Sequence, residues 1–378
     1  MTTPAAPGAD LRLAIRRLAA RSDLSGEEMS LALDAILSGA ASEAAIASFL
    51  VALTMKGETP AEILAILQSV RRHATRITPR VDGPLIDTCG TGGDSIRTFN
   101  VSTAAAVVAS AAGANVAKHG NRSVSGVCGS ADFLEYVGLD LAAPPERVQK
   151  CIETAGIGFL FAPAFHPAMK NVAPARKTIG IRTIFNTVGP LSNPCTNISG
   201  QVIGVFEPRL LETLAEVVSQ GRYVGEAMLV HAADGFDELS NTCENDILWV
   251  TTDNGGGNGQ TTTAAGDQAP KIKRLRLNPK VVGMHLARLE QLVVNTKEES
   301  IRSTLQAIYG TAPQEKEDMV VLNASAALVV GRVAADLKEG VEKARSAIQS
   351  GSAKKKLAQL IASCGDIEKL EQAEKEFL

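Results

Sequence analysis

The apolar positions of the chain up to residue 78 recur at helical spacing. Residues 9–21 are arginine-rich and amphipathic, and because their pattern runs straight on into the helical stretch after them they predict a first helix rather than an organelle transit segment. Ser25 and Glu28 form a capping-box pattern ahead of an apolar-periodic stretch to Leu37. Ser42 is placed to cap the next helix, in which Ile46, Phe49, Leu50 and Leu53 share a face, and Gly57 ends it. Thr59-Pro60-Ala61-Glu62 restarts the chain with an N-cap, a proline at the first helical position and a glutamate two further on. Four short antiparallel helices, a small helical domain over residues 1–78, are the expectation.

From Leu85 the period changes. Short apolar runs predict strands at Leu85–Cys89, Asn115–Lys118, Gly158–Phe161, Gln201–Phe206, Ala227–His231 and Ile247–Val250. Helical patterns begin near Val101, Ala131, Pro145, Pro208 and, late in the chain, Ser300 and Val320. This alternation predicts an α/β domain over 79–378 with a mainly parallel central sheet. A helical piece at Pro167–Gly180 and an Asn-, Gly- and Pro-rich stretch at Thr183–Pro194 interrupt it, and part of 167–190 is expected to join the helical domain. Residues 253–269 are low in complexity and read as a flexible surface insertion. No internal repeat is visible.

In parallel sheets ligands bind beyond the carboxyl ends of strands. Gly90-Thr91-Gly92-Gly93-Asp94 follows the first predicted strand and precedes an alanine-rich helix. Glycines bring bare N–H groups close to an anion, and a helix N-terminus adds partial positive charge. Asn100, Ser102 and Thr103 open that helix, able to cap it and to present hydroxyls and N–H groups. Lys118-His119-Gly120-Asn121-Arg122-Ser123-Val124-Ser125 follows the second strand, and its cations and hydroxyls suit a polyanion. His119 stays open between orienting the loop, contacting a substrate and being a satisfied polar residue. Asp94 would repel phosphate and suits backbone capping, a ribose hydroxyl or a bound cation. Adjacent Asp237 and Glu238 converge only on a loop, where beside a phosphate they suit Mg²⁺. Arg176, if its segment joins the helical domain, would face the space between domains and bind a carboxylate.

Composition narrows the classes. The 378 residues are 45% hydrophobic and 21% charged, which supports a sizeable core. A net charge of −3 and 4% aromatics argue against a nucleic-acid binder. Six scattered cysteines without a CxxC pair fit a reducing cytoplasm, and no apolar run reaches the length of a membrane span. No Ser/His/Asp order, GxSxG or HExxH motif points to a protein nucleophile or a zinc hydrolase.

Taken together, the motifs resemble those of the anthranilate phosphoribosyltransferases. The likeness rests on Asp87–Asp94, Thr98–Thr103, Val116–Ser125, Gly129–Asp132, Phe161–Lys170 and Arg182–Pro194, and covers nearly the whole chain. It implies a small helical domain with a larger α/β domain, a homodimer, and transfer of phosphoribose from phosphoribosyl pyrophosphate (PRPP) to anthranilate in tryptophan biosynthesis, without nucleic-acid or membrane partners. Carried over, Gly90, Gly93, Asp94, Thr98, Asn100, Ser102, Thr103, Lys118 and Ser130 look like PRPP contacts. Val101, His119, Gly120, Arg122 and Ser123 lie in the same motifs and join the substrate-binding set. Asn121 and Arg176 look like anthranilate contacts, with Gly90 lining that side too. Ser102, Asp237 and Glu238 look like Mg²⁺ ligands. Two departures stand out: Gly126-Val127-Cys128 where the family has a serine, a basic residue and a serine, and Phe236 where leucine is usual. A pyrimidine-nucleoside phosphorylase shares the architecture and the glycine turn, but would not be expected to carry the Lys118–Ser125 and Phe161–Lys170 motifs in this form.

Overall fold

The computed structural model describes residues 9–92, 96–123, 126–252 and 269–378, so most of the predicted 253–269 insertion lies outside the described residues. The chain divides into two compact units, one of residues 1–75 and 163–194, the other of 76–162 and 195–378.

The helical unit opens with helices Ala9–Ala19, Gly26–Leu37, Glu43–Lys56 and Pro60–Arg72. Both predicted capping boxes form. Glu28 N–H donates to Ser25 Oγ while Ser25 N–H donates to Glu28 Oε2, and Thr59 and Glu62 do the same. Glu62 has a second task. It is fully buried, and it also accepts from Leu24 N–H and from Lys56 Nζ at 2.8 Å. A buried carboxylate is tolerable only with such a set of donors, and this one ties three segments together. Gly57 takes φ 88°, which ends its helix without a Cβ penalty.

Pro167–Asn171 is a 3₁₀ turn, and Ala173–Ile179 and Ile184–Leu191 are helices of the same unit. Asn171 Nδ2 donates to Leu37 O, and Thr178 Oγ1 donates to Glu43 Oε1. The predicted Asn/Gly/Pro stretch thus contains a helix with Pro190 inside it. His166 is 5% exposed in this unit. Burial, with Arg71 nearby, pushes its imidazole down to about 4, against a hydrogen bond involving the Ser192 backbone.

The sign of this shift sets a pH dependence. Between pH 6.5 and 4 the unfolded chain takes up a proton that native His166 refuses. Stability is therefore full above the unfolded value and falls with pH, by about 3 kcal/mol once pH reaches the folded value. Urea unfolding at pH 7.5 and pH 5 should show His166→Asn losing less stability on acidification than the parent; equal losses would refute the assignment.

The second unit is built on seven strands: β1 Leu85–Gly90, β2 Asn115–Gly120, β3 Ile157–Phe161, β4 Gly200–Gly204, β5 Glu226–Ala232, β6 Asn245–Thr251 and β7 Lys271–Leu277. Their order is β3-β2-β1-β4-β5-β6-β7, with β1 to β5 mutually parallel and β6 and β7 antiparallel additions. The strands buried on both faces read as apolar runs, as the sequence predicts. β7 is not among the predicted strands: Lys271-Ile272-Lys273-Arg274-Leu275-Arg276-Leu277 is mostly charged and largely exposed. The last three helices, Leu337–Gln349, Ser352–Cys364 and Ile367–Phe377, lie beyond the predicted set too. The helix expected near Val320 begins six residues earlier, at Gln314, because Pro313 sets its start and its first turn is polar.

The order of the strands carries the functional consequence. From β1 the chain steps outward to β2 and β3, and later returns to β1's other side as β4, then β5. The strand order therefore reverses between β1 and β4, the position where open parallel sheets bind ligands. There the last residues of both strands are glycines in register, Gly90 opposite Gly204.

Candidate active site

Beyond these two glycines lies the loop that follows β5, carrying Asp237 and Glu238. A Cβ on Gly204 would collide with the Asp237 main-chain oxygen, and one on Gly90 with the Asp237 carboxylate. Glycine at both positions is what lets the acidic loop lie directly on the strand ends.

The two carboxylates are directed to the anion-binding groups predicted from sequence. Asp237 Oδ2 accepts from Gly92 N–H at 2.7 Å. Glu238 Oε1 accepts from Ser102 N–H at 3.0 Å, at the start of helix Val101–Ala111. This corrects one expectation. Asn100 makes no side-chain cap bond to that helix; its amide instead donates to Ser300 Oγ, and its N–H to Thr304 Oγ1. The cap comes from Glu238, 136 residues away in sequence, and a carboxylate there complements the helix dipole.

Lys118, on β2, is 4% exposed. Its ammonium donates to Thr88 O at 2.6 Å and to Ser102 Oγ at 3.2 Å. Burial lowers its proton affinity, and Asp87 and Glu238 oppose that change. Asp87, which no sequence pattern marks for chemistry, is fully buried and accepts from His119 N–H, locking β1 to β2 beside the lysine. Burial first, then Asp87, holds the Cys89 thiol well above its ordinary value, so it stays protonated and inert. Thr88, Ser102, Asp237, Glu238 and Asn323 all line one small cavity here. Gly90, Ser102, Lys118, Asp237 and Glu238 thus meet at the point where the strand order reverses.

Other predicted residues occupy neighbouring ground. Val101 is fully buried in the first turn of its helix, and Thr103 is nearly so. Thr98 pairs with Val293 in an isolated bridge. His119 is 7% exposed. A Cβ on Gly120 would strike Ser130 Oγ and the Phe159 ring. Asn121 Oδ1 accepts from Arg122 N–H, and Asn121 O accepts from Ser130 Oγ. The Arg122 guanidinium is engaged by Glu135 and Asp132 on the following helix and lies over the Phe161 ring. Its fork is thus engaged by neighbouring carboxylates in this structure. Ser123 N–H donates to Asp132, and its hydroxyl to Gly126 O, within the atypical Gly126-Val127-Cys128 segment. Gly93 and Asp94 lie outside the described residues.

Arg176 belongs to the helical unit. It is half-buried, burial lowers its pKa, and its partners are Asn186 Oδ1 at 3.2 Å and the Phe185 ring. Among the described residues no carboxylate pairs with it. A partly desolvated guanidinium without a counter-anion is suited to a carboxylate from outside the protein.

The loop after β5 is also held from behind. Asn323 Oδ1 accepts from Leu239 N–H, and Asn323 Nδ2 donates to Leu239 O. Asn245 Oδ1 accepts from Ser240 N–H, and Asn245 Nδ2 donates to Ser240 O. Neither asparagine belongs to a motif read from the sequence. The available signal was a single Asn within the apolar run Met319–Val330, since a polar side chain buried in such a helix must find partners.

Comparisons with known proteins identify the family. The family described as "Glycosyl transferase family, helical bundle domain" matches residues 12–74, and "Glycosyl transferase family, a/b domain" matches 82–354. Anthranilate phosphoribosyltransferase of Acetivibrio thermocellus is 43% identical over 93% of this chain and 96% of that protein. That of Thioalkalivibrio sulfidiphilus is 43% identical over 94% of this chain and 100% of its own length. The crystal structure of the Thermus thermophilus enzyme superimposes with a TM-score of 0.81 at 38% identity, covering 93% of this chain and 99% of that one. The Saccharomyces cerevisiae enzyme in complex with PRPP and Mg gives a TM-score of 0.81 at 25% identity, covering 94% and 98%. Since both domain families match in chain order and the likeness runs the length of these relatives, the chain belongs to the anthranilate phosphoribosyltransferase family.

Proposed function

We propose that the protein transfers the phosphoribosyl group of PRPP to the amine of anthranilate, releasing pyrophosphate, as a step of tryptophan biosynthesis. The observation that carries this reading is the meeting of Lys118, the glycine turn, a helix N-terminus and two adjacent acids at the reversal of strand order. Relatives of the whole chain carry that activity in their names.

The donor set fits Mg²⁺. Asp237 and Glu238 offer carboxylate oxygens, Ser102 offers a hydroxyl, and the remaining positions would fall to water and substrate phosphates, as Mg²⁺ prefers. A relative has been crystallised with PRPP and Mg. When bound, the ion neutralises charge on the departing pyrophosphate. Lys118 adds a fixed positive charge in a nearly water-free setting, where it acts more strongly than in solvent. The N-terminus of helix Val101–Ala111 would add a preformed dipole. Anthranilate's aromatic amine needs little help from a base, in keeping with a neighbourhood dominated by charge stabilisers. Arg176, which has no carboxylate partner among the described residues, would hold the carboxylate of anthranilate. We propose a homodimer, as the family resemblance implies, and a reducing cytoplasm, as the six scattered cysteines suggest.

Loss of anthranilate fluorescence on mixing with PRPP and Mg²⁺ tests the activity directly, and phosphorolysis of thymidine should be absent. For Arg176→Ala the KM for anthranilate should rise about a hundredfold, as expected for losing a charged hydrogen-bonding partner, with the KM for PRPP nearly unchanged. Equal rises in both constants would refute the assignment.

A further inference from the structure

The two amides behind the acidic loop have a regular arrangement. Leu239 and Ser240 immediately follow Glu238. Each has its main-chain N–H and C=O gripped by one asparagine side chain, Leu239 by Asn323 and Ser240 by Asn245. The distances are 2.9 and 2.7 Å for Asn323, and 2.7 and 2.8 Å for Asn245. An amide used this way imitates a strand partner: it fixes the plane and the direction of one peptide at a time. Two consecutive grips leave the chain after Glu238 no freedom to rotate.

The anchors come from rigid ground. Asn323 sits in helix Gln314–Val330, buried from Asp318 to Val330, and spends its second N–H on Met319 O of the same helix. Asn245 opens β6 and spends its other N–H on Cys243 O. On the other side, Gly90 and Gly204 bring the strand ends into contact with Asp237. The acidic pair is thus pinned between strand ends in front and two asparagines behind. Asn323 also lines the same small cavity as Asp237 and Glu238.

We infer that Asn323, with Asn245 in support, is a positioning residue that sets the placement of the Asp237 and Glu238 carboxylates for a divalent cation and so tunes metal affinity. The inference rests on the metal role proposed above for those two acids. Mg²⁺ tolerates little departure from octahedral geometry, so a loosened loop costs it more than it costs a substrate held elsewhere. Ligands held by supporting hydrogen bonds commonly lose about tenfold or more in metal affinity when the support is removed.

The test uses Asn323→Ala and the isosteric Asn323→Asp, which keeps the acceptor for Leu239 N–H and loses the donors. Mn²⁺ binding is titrated in the presence of PRPP by water-proton relaxation, alongside thermal melting and the KM for anthranilate. The expected result is Mn²⁺ affinity weaker by about tenfold or more with the anthranilate KM unchanged. Wild-type Mn²⁺ affinity in a folded variant overturns the inference. So does a fall in metal affinity matched by an equal rise in the anthranilate KM, which would mean general distortion. If Asn323→Ala does not fold, Asn323→Asp and Asn245→Asp decide by the same criteria. The parent assignment fails separately: Asp237→Ala/Glu238→Ala would then bind Mn²⁺ like the wild type, and this inference would fall with it.

Discussion

Replacing Asp237 and Glu238 together by alanine is expected to lower turnover by about a thousandfold or more at saturating Mg²⁺ while the protein still folds. The size of the effect follows from position. Both carboxylates lie where the strand order reverses, beside the cavity that holds Ser102 and Thr88. Their removal takes away the negative charges available to a cation and leaves the buried Lys118 with less compensation. The structural loss is smaller. Gly92 and Ser102 each lose an acceptor for an N–H group, a cost of about 1–3 kcal/mol each where water cannot replace it. Fluorescence-monitored turnover and a melting curve on one sample separate the two effects. Glu238→Gln refines the test, since its amide oxygen can still accept from Ser102 N–H but no longer carries charge. A double variant that turns over at the parent's rate would refute the metal role of the pair.

Gly204→Ala, a single added methyl, is expected to be nearly as damaging. The new Cβ would occupy the space of the Asp237 main-chain oxygen, and the Asp237 Cα lies only 3.3 Å away. The obstacle is backbone, so no rotamer change relieves it. Either β4 shifts, breaking its register with Gly90, or the acidic loop is pushed off the strand ends. Overpacking of this kind costs about 1–3 kcal/mol of stability. Displacing the carboxylates by even an ångström costs about a hundredfold in rate. Gly26→Ala is the control, because a Cβ there meets nothing within 4 Å. The expectation is a large fall in kcat/KM with a lowered melting temperature for Gly204→Ala, and near-parental values for Gly26→Ala. An active, stable Gly204→Ala would show that the loop does not rest on the strand ends.

Much of this arrangement is readable from sequence, and the reasons for the exceptions are physical. The capping boxes at Ser25 and Thr59 are local, so four consecutive residues announce them. The parallel strands are buried on both faces, and their apolar runs stand out. The cap of helix Val101–Ala111 is different in kind. Its acceptor, Glu238, comes from a distant loop, and no local pattern at Asn100 discloses that. The same holds for Asn323 and Asn245, whose partners are peptide groups with no sequence identity to read. Arg122 is a further case: its ion pairs with Glu135 and Asp132 on the following helix are not announced by the basic loop that carries it. The acidic pair stands out in the sequence, but only the reversal of strand order explains why it lies opposite the glycine turn.

The sheet's last strand has a consequence for life in a crowded solution. β7 closes the row of strands, with β6 on one side only among the described residues. Its other edge offers peptide groups to any extended chain that approaches. Lys271, Lys273, Arg274 and Arg276 crowd that strand with positive charge, and Arg274 and Arg276 are steadied by Glu212 and by Glu244 and Asp246. Charged side chains on an edge strand are a recognised guard against self-assembly into larger sheets. The feature that hides β7 from a search for apolar alternation is thus one that suits an edge strand.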